Sequence, residues 1–161
     1  MGVITMKFRN ILIIFAMLIF ASAGRAFAQG DRSTSRDAPT PIQNNKVEDD
    51  LDGSDDSYFY KFAASPGTLK LIFEVEAAET NAGANFDIYD SNFKPLLSSV
   101  LVQGVDKGSE RMVKSIKFTK KQDIIIRVKG IKYGESGGRG TYTISLDGGG
   151  DKPVQQAPPE K

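Results

Sequence analysis

Few residue types in this chain could do chemistry. Its 161 residues include no His and no Cys. That removes the usual general base for a Ser or Thr nucleophile, the thiolate nucleophile and the commonest zinc ligands. Carboxylates remain. A pair such as Asp52 and Asp87 could serve as acid and base on one sugar, but nothing in their local spacing brings them together. The chain is therefore not expected to be an enzyme. The acids concentrate in Glu48-Asp49-Asp50-Leu51-Asp52-Gly53-Ser54-Asp55-Asp56, six in nine residues. Such oxygen ligands suit calcium, which takes about six to eight of them. Asp52, Asp55 and Asp56 lie where a loop could wrap an ion, with Gly53 permitting the bend, and Glu48 and Asp50 extend the set. The spacing is not that of an EF-hand, since the closing Glu is missing. The competing reading is an acidic, solubilising approach to the first strand.

Aromatic side chains are the second candidate set. Tyr58 and Tyr60 fall on one face of an extended segment and Phe59 on the other, and Tyr133 follows a later apolar run. Tyrosine stacks on sugars and peptides, so Tyr58, Tyr60 and Tyr133 are candidate ligand contacts, set against plain strand packing. Asp87 and Tyr89 share one face while Phe86 and Ile88 share the other, and Asp90-Ser91-Asn92 reads as a turn. The Gly134–Gly140 stretch has no strand-to-helix setting, so it is a hairpin connection rather than a phosphate cradle.

The elements that must position these residues alternate with period two. Leu69, Leu71, Phe73 and Val75 interleave with Lys70, Ile72, Glu74 and Glu76. Ile116 and Phe118, then Ile124, Ile126 and Val128, then Tyr142, Ile144 and Leu146 repeat the pattern. Each reads as a half-buried strand. Tyr58–Ala63, Phe86–Tyr89 and Leu96–Val102 add short runs of strand formers. Turn signals lie between them, at Ser65-Pro66-Gly67, Asn81-Ala82-Gly83, Asp106-Lys107-Gly108 and Lys120–Asp123. The expectation is an all-β domain: a single antiparallel β-sandwich of about seven to eight strands.

The N-terminus carries an address. Lys7 and Arg9 precede an uncharged run from Ile11 to Ala23, and Ala26-Phe27-Ala28 supplies the small residues a signal peptidase needs. That run is 13 residues, whereas a membrane-spanning helix needs about 20. Residues 1–28 are expected to be a signal peptide, which makes the protein secreted or periplasmic with no stable membrane span after cleavage. Residues 29–46 read as a flexible leader, 47–147 as the folded domain and 148–161 as a disordered tail. Three of the 21 basic residues and none of the 20 acidic ones fall in the signal, leaving 18 against 20 and a net charge of −2. A nucleic-acid partner would call for a clearly basic domain and is not expected. The charge is uneven, acidic over 48–56 and rich in Lys and Arg from Lys107 to Lys132. An exported domain without cysteine must stand on packing or a bound ion.

Three stretches resemble one family. Asp55-Asp56-Ser57-Tyr58-Phe59-Tyr60-Lys61-Phe62 with Ser65-Pro66-Gly67-Thr68-Leu69 is the first. Phe86-Asp87-Ile88-Tyr89-Asp90-Ser91-Asn92 is the second, and Ile125-Ile126-Arg127-Val128 with Gly140-Thr141-Tyr142-Thr143-Ile144 is the third. In this order they resemble the bacterial pre-peptidase C-terminal domain over about residues 51–146, in free-standing form. Phe93 and Lys94 depart from it, standing where that family's turn glycine would be. The resemblance implies a jelly-roll-like sandwich and a role in secretion or in holding polymers such as collagen or polysaccharide. For some members it also implies calcium at the acidic N-terminal edge. The expected function is a non-catalytic binding module for an extracellular polymer, peptide or partner protein, with calcium as the stabilising ion that the resemblance implies. The alternative is a structural or envelope-associated protein without a discrete ligand.

Overall fold

Alternation in the sequence becomes alternation in space. The computed structural model describes residues 32–78, 80–134 and 138–149, and the expected signal peptide lies outside them, as does all but Gly148 and Gly149 of the expected tail. Nine strands follow in order: β1 (Thr40–Pro41), β2 (Lys46–Asp52), β3 (Ser57–Ala64), β4 (Gly67–Ala77), β5 (Asn81–Asp90), β6 (Pro95–Val105), β7 (Ser109–Phe118), β8 (Gln122–Gly130) and β9 (Arg139–Asp147). They form a five-stranded sheet, β1-β3-β8-β5-β6, and a four-stranded sheet, β2-β9-β4-β7. Every pairing is antiparallel except the short β1–β3 contact. The expected β-sandwich is what the chain forms.

The inner faces meet in one core. Leu69, Leu71, Phe73 and Val75 of β4 are fully buried, as are Ile124, Ile126 and Val128 of β8. Phe73 of one sheet stacks on Phe86 of the other with ring centroids 4.5 Å apart. Each such side chain contributes about 1.5–3 kcal/mol by leaving water. At Gly140 a Cβ would come within 2.0 Å of the Glu76 carbonyl, so β9 lies against β4 at a distance no larger residue allows.

Three sequence expectations need correction. The acidic run is only partly a loop: Lys46–Asp52 is strand β2, ladder-paired with β9 from Lys46↔Ser145 to Asp52↔Arg139, and residues 53–56 form the turn after it. Backbone pairing to a strand already anchored in the core outweighs the low strand propensity of its acids. The Asn81-Ala82-Gly83 turn signal lies inside β5, paired with Gly104 and its neighbours. Of the expected flexible leader, residues 29–46, the stretch 32–42 forms a strap along the free side of β3, and Lys46 opens β2. Phe59 N–H donates to the Ser33 carbonyl at 2.9 Å, and Ile42 N–H to the Lys61 carbonyl at 2.8 Å. The strap also carries the Arg36 guanidinium to 4.6 Å from the Phe93 ring. Phe93 has φ 59°, the left-handed position where the family pattern has glycine. The turn before it is tied by Asp90, whose Oδ1 accepts the N–H groups of Asn92 and Lys94 at 2.8 and 2.9 Å.

Candidate functional site

The outer face of the four-stranded sheet is made by the residues that alternate with the core. From β2 come Lys46 and Glu48, from β9 Thr141, Thr143 and Ser145, and from β4 Glu74 and Glu76. Cross-strand register sets Glu48 beside Thr143 and Thr143 beside Glu74. These seven residues line a shallow groove with a cavity volume of about 280 Å³. Its wall is charged and hydroxyl-bearing, with no aromatic ring. Lys46 is paired to Glu48, two residues along the same face of β2, at 2.8 Å. Such a face can bind by hydrogen bonds and charge but offers no ring for sugar stacking.

Beneath the β2 edge sits a buried polar cluster that the sequence reading missed. Asp49 points inward from β2 and is 8% exposed. Its Oδ2 accepts the Tyr60 hydroxyl at 3.2 Å, and the Tyr60 and Tyr142 hydroxyls are 2.5 Å apart. Its Oδ1 pairs with Arg32 Nη1 at 3.1 Å. Arg32 also donates to the Asp50 carbonyl at 2.6 Å, lies 3.7 Å from Asp52 Oδ2 and stacks 4.0 Å over the Tyr58 ring. Burial pushes both Tyr60 and Tyr142 up, and the Asp49 charge adds to the shift. Neutral hydroxyls around a paired carboxylate tie the two sheets together but present no acid or base to solvent. The only sequence signal for this cluster was the period-two register of Asp49 with Leu51.

The sequence-predicted site residues separate. Tyr58 and Tyr60 are 5% and 2% exposed, so they face the core and are not open stacking platforms. The inward phase of β3, set by Phe62 and Ala64, carries both with it. Tyr133 is half-buried. Its ring lies where a Cβ on Gly138 would meet it at 2.6 Å, and its hydroxyl is bonded to the Gln103 amide. Glu48, Asp50 and Asp52 project from the same side of β2, away from the core, while Asp55 and Asp56 follow in an exposed turn. Among the described residues no group of three acids is arranged to hold a metal ion. The turn is closed by its own side chains: Asp52 Oδ1 accepts Ser54 N–H at 3.0 Å, and Asp56 Oδ2 accepts the Ser54 hydroxyl at 3.0 Å. Hydrogen bonds from Ser54 hold the Asp52 carboxyl below its ordinary range. Calcium at about 1 mM, the working range of extracellular modules, should leave the thermal midpoint unchanged. A rise of several degrees, reversed by chelator and absent in Asp52→Ala, would show that the turn rebuilds around an ion.

Asp87, the other acid considered, is 4% exposed although it points outward. Its carboxylate accepts Arg127 Nη2 at 2.6 Å and Arg127 Nε at 3.1 Å, and its Oδ1 accepts Ser99 N–H at 2.8 Å. Ser99 has φ 55° beside the register shift between β5 and β6. Asp87 thus pins a bulge. It sits on the five-stranded sheet and Asp52 on the four-stranded one, so no acid–base pair forms between them.

No protein-family profile and no curated protein sequence matches the chain. Solved structures do. The pre-peptidase C-terminal domain of a collagenase from Bacillus anthracis is similar at 16% identity, over 68% of this chain and 95% of that one, with a TM-score of 0.44. A periplasmic inhibitor of g-type lysozyme from Aeromonas hydrophila is similar at 14% identity, over 68% and 96%, with a TM-score of 0.40. A xylan-binding domain from Paenibacillus barcinonensis is similar at 7% identity, over 68% and 85%, with a TM-score of 0.36. The first of these is a domain of the kind whose motifs the sequence resembles.

Proposed function

We propose that this chain is an exported, non-catalytic binding module for an extracellular polymer, peptide or partner protein, with the groove on the four-stranded sheet as its ligand surface. The observation that carries the reading is the groove itself. Seven polar side chains from three strands are held in register on a rigid sheet, and three of them are glutamates. The absence of His and Cys from the chain supports a non-catalytic role. The lining favours ligands rich in hydroxyl, amide or ammonium groups, from whose donors the glutamate oxygens accept, while the Thr and Ser hydroxyls can also donate to ligand oxygens.

The test is retention of the mature protein on arrays of polysaccharides and of lysine-containing peptides. A charge-assisted hydrogen bond is worth about 1.5–3 kcal/mol. Glu74→Gln with Glu76→Gln should therefore weaken binding at least about tenfold. Lys61→Gln, on the outer face of the other sheet, should leave it unchanged. Equal binding by both variants would remove the groove from the account.

A further inference from the structure

The four-stranded sheet has two edges of opposite charge. β2, at one end, carries Glu48, Asp50 and Asp52 on its outer side. β7, at the other end, carries Arg111, Lys114 and Lys117. Among the described residues no strand pairs with the far side of β7, which runs in unbroken register with β4 from Glu76↔Ser109 to Gly67↔Phe118. A long regular edge of this kind is a template for a further strand. Arg111 and Lys117 select the strand. They stand opposite Glu74 and Thr68 on the outer face of the sheet, the face on which β2 carries its acids, so a strand laid beside β7 sets acid against base across the ladder.

The acidic edge is the matching piece, but it is closed. Arg32 Nη1 occupies the Asp50 carbonyl at 2.6 Å, and the Asp50 N–H is taken by Asp49 Oδ1 at 2.7 Å. Both ladder groups of Asp50 are thereby used up within the chain. The guanidinium that takes its carbonyl belongs to the strap and not to the sheet.

We propose that β2 and β7 are complementary edges through which successive copies of this chain pair head to tail, and that the Arg32 strap holds the β2 edge closed. Strand direction permits it. Three antiparallel steps separate β2 from β7, so the two run opposite ways. A copy placed beside another in the same orientation continues an antiparallel ladder. The interface is heterologous, so it propagates from copy to copy.

The experiment is sedimentation of the mature chain, wild type against Arg32→Met and against Arg32→Met/Asp49→Asn, the second leaving no unpaired buried charge. Circular dichroism confirms folding in each. The wild type is expected to sediment as a monomer. The variants are expected to form concentration-dependent larger species that disperse in about 0.5 M NaCl, where charges are screened beyond a few Å. Adding Arg111→Glu and Lys117→Glu should return them to monomer. Folded variants that stay monomeric overturn the proposal, as does association that the β7 changes leave intact. Variants that unfold instead overturn it too, because they make the strap part of the folding core and not a removable guard.

Discussion

Asp49→Ala should lower the midpoint of thermal unfolding by about 12 °C. The carboxylate is inside, shared between Arg32 and the Tyr60 hydroxyl, with the Tyr142 hydroxyl next in line. Truncation leaves a part-buried guanidinium without its main partner and a buried phenol without its acceptor. Removing one side of a buried pair costs about 3–5 kcal/mol. Arg32 is 26% exposed at its side chain, so the lower end applies, about 3 kcal/mol after discounting for solvent. For a domain of this size 1 kcal/mol moves the midpoint by about 4 °C. Asp50→Ala is the control. Asp50 neighbours Asp49, but its side chain points to solvent, and only its backbone carbonyl receives Arg32. Its midpoint should stay within about 2 °C of wild type, as surface changes do. Equal shifts in the two variants would show that the acidic strand matters by its charge and not by the buried cluster.

Alkaline pH should unfold the domain steeply through the same cluster. Burial holds Tyr60 and Tyr142 well above the ordinary tyrosine value of 10.0. In the unfolded chain both lose their protons near that value. A group whose folded pKa is raised binds more protons folded than unfolded above the unfolded pKa. Stability is therefore whole below pH 10 and falls as pH rises beyond it, by about 1.4 kcal/mol per unit for each tyrosine. Between pH 10 and about 11.5 the two together remove about 3 kcal/mol, a large part of the stability of an ordinary domain. Urea midpoints measured across that range should fall accordingly, with tyrosinate absorbance appearing in step with unfolding. Tyr142→Phe should reduce the fall by about half, and Tyr60→Phe/Tyr142→Phe should nearly abolish it. A wild type no more sensitive to alkali than the double variant would mean that these phenols reach solvent in the folded state.

The fold was legible because its signal is local. Period-two alternation in β4, β8 and β9 needs no knowledge of distant residues, since each strand's apolar face is written in its own side chains. The same alternation misplaced the ligand candidates. Tyr58 and Tyr60 were correctly put on one face of β3, but which face turns inward is fixed by Phe62 and by the second sheet. Ile125 shows the converse. It alternates with core residues and points outward, yet it is 5% exposed. Its cross-strand neighbours Lys61 and Tyr89 flank it on the outer face of the five-stranded sheet. The acidic run was read as a site or a linker because acids seldom form strands. Its place as β2 depends on β9, some ninety residues later, and no local pattern carries that information.

The sequence by itself determined the strand phases, the absence of His- and Cys-based chemistry, and the export signal expected at its N-terminus. Each of these is a property of composition or of near neighbours along the chain. Tertiary structure alone decided that Asp49, Tyr60, Tyr142 and Arg32 meet in one buried cluster, and that Glu48, Glu74 and Glu76 share a groove. It alone placed the acids of β2 and the basic residues of β7 on opposite edges of the same sheet. Those outcomes follow from which strands pair across long loops, where the free energy comes from burying two whole faces together and not from any short segment.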